Sequence, residues 1–170
     1  MCSPDLSVLG ETDADIISAF TLAYAEEAAG IALAAKAQNV PVVVSFTVET
    51  DGRLPTGMTL SEAIAFVDEH TDNYPAHYLI NCAHPDHFTH VLQSGGETEW
   101  IKRLNGVVAN ASRCSHAELD EATELDDGDP KELGIQMGQI KKQHPHFSVF
   151  GGCCGTDMRH IAAIAENLLP

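Results

Sequence analysis

Five cysteines stand in this chain of 170 residues, and three of them occupy positions suited to metal chemistry. Cys82 directly follows the apolar run 77–81. Cys153 and Cys154 follow a second apolar run and two glycines, Gly151 and Gly152, with Gly155 behind them. If both runs are parallel strands, all three thiols stand at C-terminal strand ends, the edge where barrels and open α/β sheets carry their active sites. Soft thiolates favour zinc over magnesium or calcium. A structural zinc site usually has four protein ligands, whereas a catalytic one has three and an open position. Adjacent residues of a regular strand face opposite ways, so Cys153 and Cys154 can share an ion only if the backbone turns. Gly151, Gly152 and Gly155 permit such a turn. Spacing alone leaves two readings open, a metal site and ordinary buried thiols of the core.

Further residues lie near the same edge. His84 and His87 form a Cys-x-His-x-x-His pattern with Cys82. That pattern could bind metal, but Pro85 and Asp86 favour solvated histidines in a loop that opens a helix. Cys114 and His116 follow another strand and could approach the metal. Asn81 and Asn110 end strands there and could orient a substrate or satisfy loop backbone, with the substrate role favoured for Asn81. Glu49 and Asp51 read as loop solvation, and Cys2 as an exposed terminal thiol.

Alternating elements must position these residues. Strands are predicted over 15–20, 42–47, 77–81, 106–110 and 146–150. The run Val42-Val43-Val44 is continuously apolar, as in strands covered on both faces. Helices are predicted over 23–38, from a Thr59 cap to residue 70, around 88–92 as far as Gly95-Gly96, over 131–143, and after a Thr156 cap. Thr59 and Glu62 make a capping box. In the last helix Met158, Ile161, Ile164, Ala165 and Leu168 share helical spacing. The acidic stretch 118–129 reads as an exposed loop with a short helical turn. Five strand–helix units imply an α/β fold with a parallel sheet.

Composition narrows the function classes. The net charge of −16 repels nucleic acid and anionic membrane, and no apolar run approaches the roughly 20 residues of a membrane span. The first residues lack the basic and apolar regions of a secretory signal. The cytoplasm is therefore expected, where thiols stay reduced and cysteines point to metal or catalysis before disulfides. No Gly-x-Ser-x-Gly motif supports a hydrolase.

The segment Gly151-Gly152-Cys153-Cys154-Gly155-Thr156 before a helix, with Ile80-Asn81-Cys82 upstream, resembles the homocysteine S-methyltransferase family. Ser45-Phe46-Thr47, Asp51-Gly52-Arg53-Leu54 and Gly57 are similar to its middle region. The resemblance runs from about Asp15 onward. It implies a partial (β/α)8 TIM-type barrel, its five units corresponding to strands four to eight, within one N-terminally truncated domain over 1–170. It further implies zinc held by Cys82, Cys153 and Cys154, and methyl transfer from a donor to homocysteine, giving methionine. A homo-oligomer or a second chain would complete the barrel. The alternative is a non-catalytic zinc-binding half barrel that needs a partner or has lost activity. One departure stands out. Where many members carry a Glu-Thr pair that holds the substrate amino group, this chain reads Ala19-Phe20-Thr21, so weak acceptor affinity is expected.

Overall fold

A computed structural model of the chain describes Val8 and residues 11–169; Cys2 lies outside the described residues. Five strands form one parallel sheet: β1 (Ile17–Leu22), β2 (Val42–Phe46), β3 (His77–Asn81), β4 (Leu104–Ala109) and β5 (Val149–Gly152). Seven helices lie between and after them: α1 (Ala25–Ala37), α2 (Leu60–Thr71), α3 (Pro85–Gly95), α4 (Glu99–Arg103), α5 (His116–Glu121), α6 (Pro130–Gln143) and α7 (Met158–Leu168).

The strand order is strictly sequential, β1-β2-β3-β4-β5. A doubly wound sheet reverses its order at a switch point; this one does not. Parallel crossovers share one hand, so successive helices cover the same face. That arrangement is consistent with part of a β/α barrel. No helix among the described residues is long and apolar enough to cross a membrane.

Strand β2 is an inner strand between β1 and β3, and every residue from Val42 to Phe46 is buried. This is why its sequence reads as an unbroken β-branched run. The capping box expected at Thr59 is present, with Thr59 and Glu62 satisfying one another's backbone N–H groups. Helix α6 packs closely on α7: a methyl group on Gly134 would meet the Ala163 carbonyl oxygen at 2.5 Å. Below the sheet, Arg103 donates to both oxygens of Asp68 at 2.8 and 2.9 Å, and Tyr78 donates to the same carboxylate at 2.7 Å.

Several local expectations change, and β4 begins at Leu104, two residues earlier than predicted. β1 begins two residues later than predicted, and it contains an irregularity between Ala19 and Leu22 where Thr21 adopts φ +60. β5 begins at Val149, because residues 144–147 form a turn closed by Phe147 N–H to the His144 carbonyl at 3.0 Å. The strand then continues through Gly151 and Gly152, which pair in register with Val108 and Ala109. Finally, Asp157 caps α7, accepting from Arg159 N–H at 2.8 Å, and Thr156 does not.

Candidate metal centre

The three thiols converge. The Sγ atoms of Cys82, Cys153 and Cys154 all lie within 4.8 Å of one another, and Cys82 and Cys154 are 3.5 Å apart. Among the described residues, no other group of histidine, cysteine or carboxylate side chains gathers in this way. Cys114 is not part of the group; its thiol faces Asp126 Oδ2 at 3.8 Å.

Different backbone devices deliver each sulfur. Cys82 N–H still bonds to the Val108 carbonyl at 3.0 Å, yet its φ is +56. A non-glycine residue in that region costs about 1–2 kcal/mol. Cys153 N–H extends the ladder to the Ala109 carbonyl at 2.7 Å. The chain then turns: Thr156 N–H and Oγ both donate to the Cys153 carbonyl, at 3.1 and 2.6 Å. Only Gly155 of the three nearby glycines has positive φ, at +77. Gly151 and Gly152 are therefore ladder residues rather than hinges. Gly152 serves a different need: a methyl group there would lie 2.2 Å from Thr156 Oγ.

The strain at Cys82 is matched by a set of bonds to its carbonyl oxygen. His116 Nε2 donates at 2.8 Å, Asn110 Nδ2 at 3.1 Å and Thr47 Oγ at 3.4 Å. His116 Nδ1 meets Glu49 Oε1 at 3.1 Å. Both partners of the ring are acceptors, so only the imidazolium satisfies both. Burial pulls the pKa of His116 down, but the bonds to the Cys82 carbonyl and Glu49 outweigh it, and the net shift is upward.

The donor set suits a thiophilic dication. Burial, followed by hydrogen bonds and charge from Cys153 and Cys154, pushes the Cys82 thiol up to about 12. Without a cation Cys82 resists ionisation, first because it is buried and then because the two neighbouring thiols disfavour its charge. A dication held by these residues would supply the compensating charge, and the coordinating thiols would be deprotonated. Asn110 Oδ1 is buried with no hydrogen-bond partner. Cys82, Cys153 and Cys154 thus fit a zinc ion by number and softness.

The remaining candidates fall as follows. Asn81 is buried, its Oδ1 accepting from Ser45 Oγ at 2.6 Å and Thr21 N–H at 2.9 Å, its Nδ2 donating to Thr21 Oγ at 2.8 Å. It ties the irregular end of β1 to β2 and β3. His84 and His87 are buried, which corrects their reading as solvated. His84 Nδ1 accepts from Asp86 N–H at 3.2 Å and so caps α3, while His87 bonds to the Arg113 carbonyl at 2.8 Å. Glu49 is not a mere solvated loop residue, since it holds His116. Asp51 caps its own turn, accepting from Arg53 N–H at 3.0 Å. Phe20 is exposed.

A cavity of about 340 Å³ opens beside Cys154, lined by Ser112, Leu119, Glu124 and Asp126 among others. A larger one of about 650 Å³ lies among Leu92, Ile101, His144 and His146. Its lining comes partly from the segments that precede β4 and β5, at the opposite sheet edge, so the smaller cavity is the one placed for chemistry. Sequence reasoning missed Thr47 and Glu49 as site residues, although both directly follow β2 at the cysteine edge.

A family model described as homocysteine S-methyltransferase matches residues 2–168 of the chain. No individual curated protein matches it.

Proposed function

The chain belongs to the homocysteine S-methyltransferase family, and from that premise we propose that it methylates a thiol at a zinc centre held by Cys82, Cys153 and Cys154. Homocysteine is the proposed acceptor and methionine the product. The observation that carries this reading is the convergence of three thiols within 4.8 Å at one sheet edge. Zinc, when bound there, supplies the positive charge that ionises an acceptor thiol.

The chain's own residues do the rest. Three cysteine thiolates around a dication leave a net charge of about −1 by ligand counting, 2 − 3. That excess negative charge would keep a neighbouring sulfur electron-rich, so that it would take the methyl group as the donor's bond to that carbon breaks, the demethylated donor leaving and the thiol proton passing to solvent without a separate general base. Thr47, Asn110 and His116 fix the Cys82 backbone, and the Cys153–Thr156 turn fixes the other two ligands. The cavity beside Cys154, with Leu119 and Ala122 on its wall, gives room for a substrate. At the end of β1, Phe20 stands where many family members carry a carboxylate for the acceptor's amino group, and we expect weak acceptor binding. A reducing compartment such as the cytoplasm keeps the three thiols available.

The five strands are further proposed to correspond to strands four to eight of a (β/α)8 barrel. Their sequential order and the position of the cysteines at the C-terminal edge support this. Three further strands would close such a barrel. A second reading, a non-catalytic zinc-binding half barrel, is favoured by the outer edge of β1, where Ile16, Phe20 and Tyr24 are exposed.

The test is to incubate zinc-loaded protein with homocysteine and S-methylmethionine, S-adenosylmethionine or betaine, and to measure methionine. Product from at least one donor, lost in Cys153→Ser, supports the enzyme. Product formed equally well by Cys153→Ser excludes zinc-centred thiol chemistry. Zinc bound without product from any donor favours the half barrel.

A further inference from the structure

Side chains from the ends of two neighbouring strands meet at one atom, the Cys82 carbonyl oxygen. Thr47 and Glu49 come from the segment after β2, Cys82 itself from the end of β3, and Asn110 and His116 from the segment after β4. Cys82 alone among the three thiol-bearing residues has a left-handed backbone, with φ +56. That conformation turns its side chain away from the direction a strand residue would take. Something outside the local chain must hold it.

Of the three donors to that carbonyl, His116 makes the shortest bond, 2.8 Å against 3.1 Å for Asn110 and 3.4 Å for Thr47. His116 is itself held from behind by Glu49 at 3.1 Å. Helix α5 supplies the mounting: its cap, Ser115, directly precedes His116 and forms a full capping box with Glu118. The ring therefore sits at a fixed helix start, with one nitrogen on a carboxylate and the other on the ligand's backbone.

We propose that Glu49 and His116 are positioning residues that clamp Cys82 in its left-handed conformation and so aim its thiol at Cys153 and Cys154. The inference rests on the zinc reading for its consequence, but the clamp itself concerns the metal-free chain. Neither residue touches substrate or sulfur. Their work is to pre-organise the ligand set, and partners of this kind typically change metal affinity by about 10- to 100-fold.

Two readouts separate the clamp from the zinc reading. The first is zinc affinity, by chelator competition, for the parent, His116→Ala, His116→Gln, Glu49→Ala and the control His146→Ala. The second uses metal-free protein: diamide, itself reduced to the hydrazine, removes two electrons and two protons from Cys82 and Cys154, and the rate of their disulfide formation is followed by mass spectrometry. The expected result is zinc binding about 10- to 100-fold weaker in His116→Ala, with slower disulfide formation. Glu49→Ala should move both in the same direction by less. His116→Gln, which keeps an N–H donor, should recover part of the loss, and His146→Ala should match the parent. Should His116→Ala fail to fold, Glu49→Ala, altering a half-exposed side chain, carries the test. Parent-like zinc affinity and parent-like disulfide rates in the folded variants overturn the clamp. A parent that binds no zinc, with a disulfide rate that still falls in the variants, overturns the zinc reading and leaves the clamp standing.

Discussion

Substituting Gly152 by alanine should damage both the fold and the metal centre, and the cause can be followed atom by atom. The added methyl would lie 2.2 Å from Thr156 Oγ, 2.7 Å from its Cβ and 3.0 Å from its Cγ2. Thr156 cannot simply swing away, because its N–H and hydroxyl are both bonded to the Cys153 carbonyl. Forcing a methyl into a packed site costs about 1–3 kcal/mol, and losing the hydroxyl bond costs about 1 kcal/mol more. The sum, about 2–4 kcal/mol, should lower the urea midpoint by about 1–2 M if the slope is about 2 kcal/mol/M. The same displacement moves Cys153, so zinc affinity should fall with stability. Urea unfolding of Gly152→Ala, Thr156→Gly and the double variant gives a cycle that isolates the clash. In the Thr156→Gly background, Gly152→Ala should add at most a few tenths of a kcal/mol. A Gly152→Ala midpoint equal to the parent's would refute the reasoning.

Two further predictions concern stability. Asp157→Ala should lower the thermal midpoint by a few degrees, because it removes the cap of α7, whereas Thr156→Ser, which keeps the hydroxyl, should change it little. Burial, and then the charge of His146, pulls the pKa of His144 below its ordinary value, and its Nε2 has no partner. The unfolded chain therefore takes up a proton near pH 6.5 while the folded chain does not. Stability should fall as pH drops below about 6.5, and His144→Phe, which keeps the stack on Phe147, should reduce that loss. An unchanged acid limb in urea unfolding at pH 5.5 and 7.5 would contradict this.

The parts of the molecule that were legible in the sequence are those where one physical cause acts on consecutive residues. β2, β3 and β4 are covered on both faces, so burial writes itself as runs such as Val42-Val43-Val44. β5 was misplaced because Gly151 and Gly152 carry no side chains, and the aromatic residues just before them form a turn. The α7 cap was misplaced for a different reason. Thr156 and Asp157 are both competent caps, and the choice falls to Asp157 because the Thr156 hydroxyl is engaged by the Cys153 carbonyl. At the site, the cysteines could be read from edge position and softness. Glu49 and His116 could not be paired, since 67 positions separate them and strand ends fix an edge without fixing which side chains reach one another. Cys82 in the left-handed region left no local signal either, since cysteine is not a residue that such a backbone favours.

The central claim is that Cys82, Cys153 and Cys154 form one zinc site, and bound metal measures it directly. Zinc content should be determined by elemental analysis on the parent and on serine variants at Cys82, Cys114, Cys153 and Cys154, each checked for folding. The account predicts about one zinc per chain in the parent and in Cys114→Ser, and a marked loss in each of the other three. Full zinc in the Cys82, Cys153 and Cys154 variants, with loss in Cys114→Ser, would contradict it.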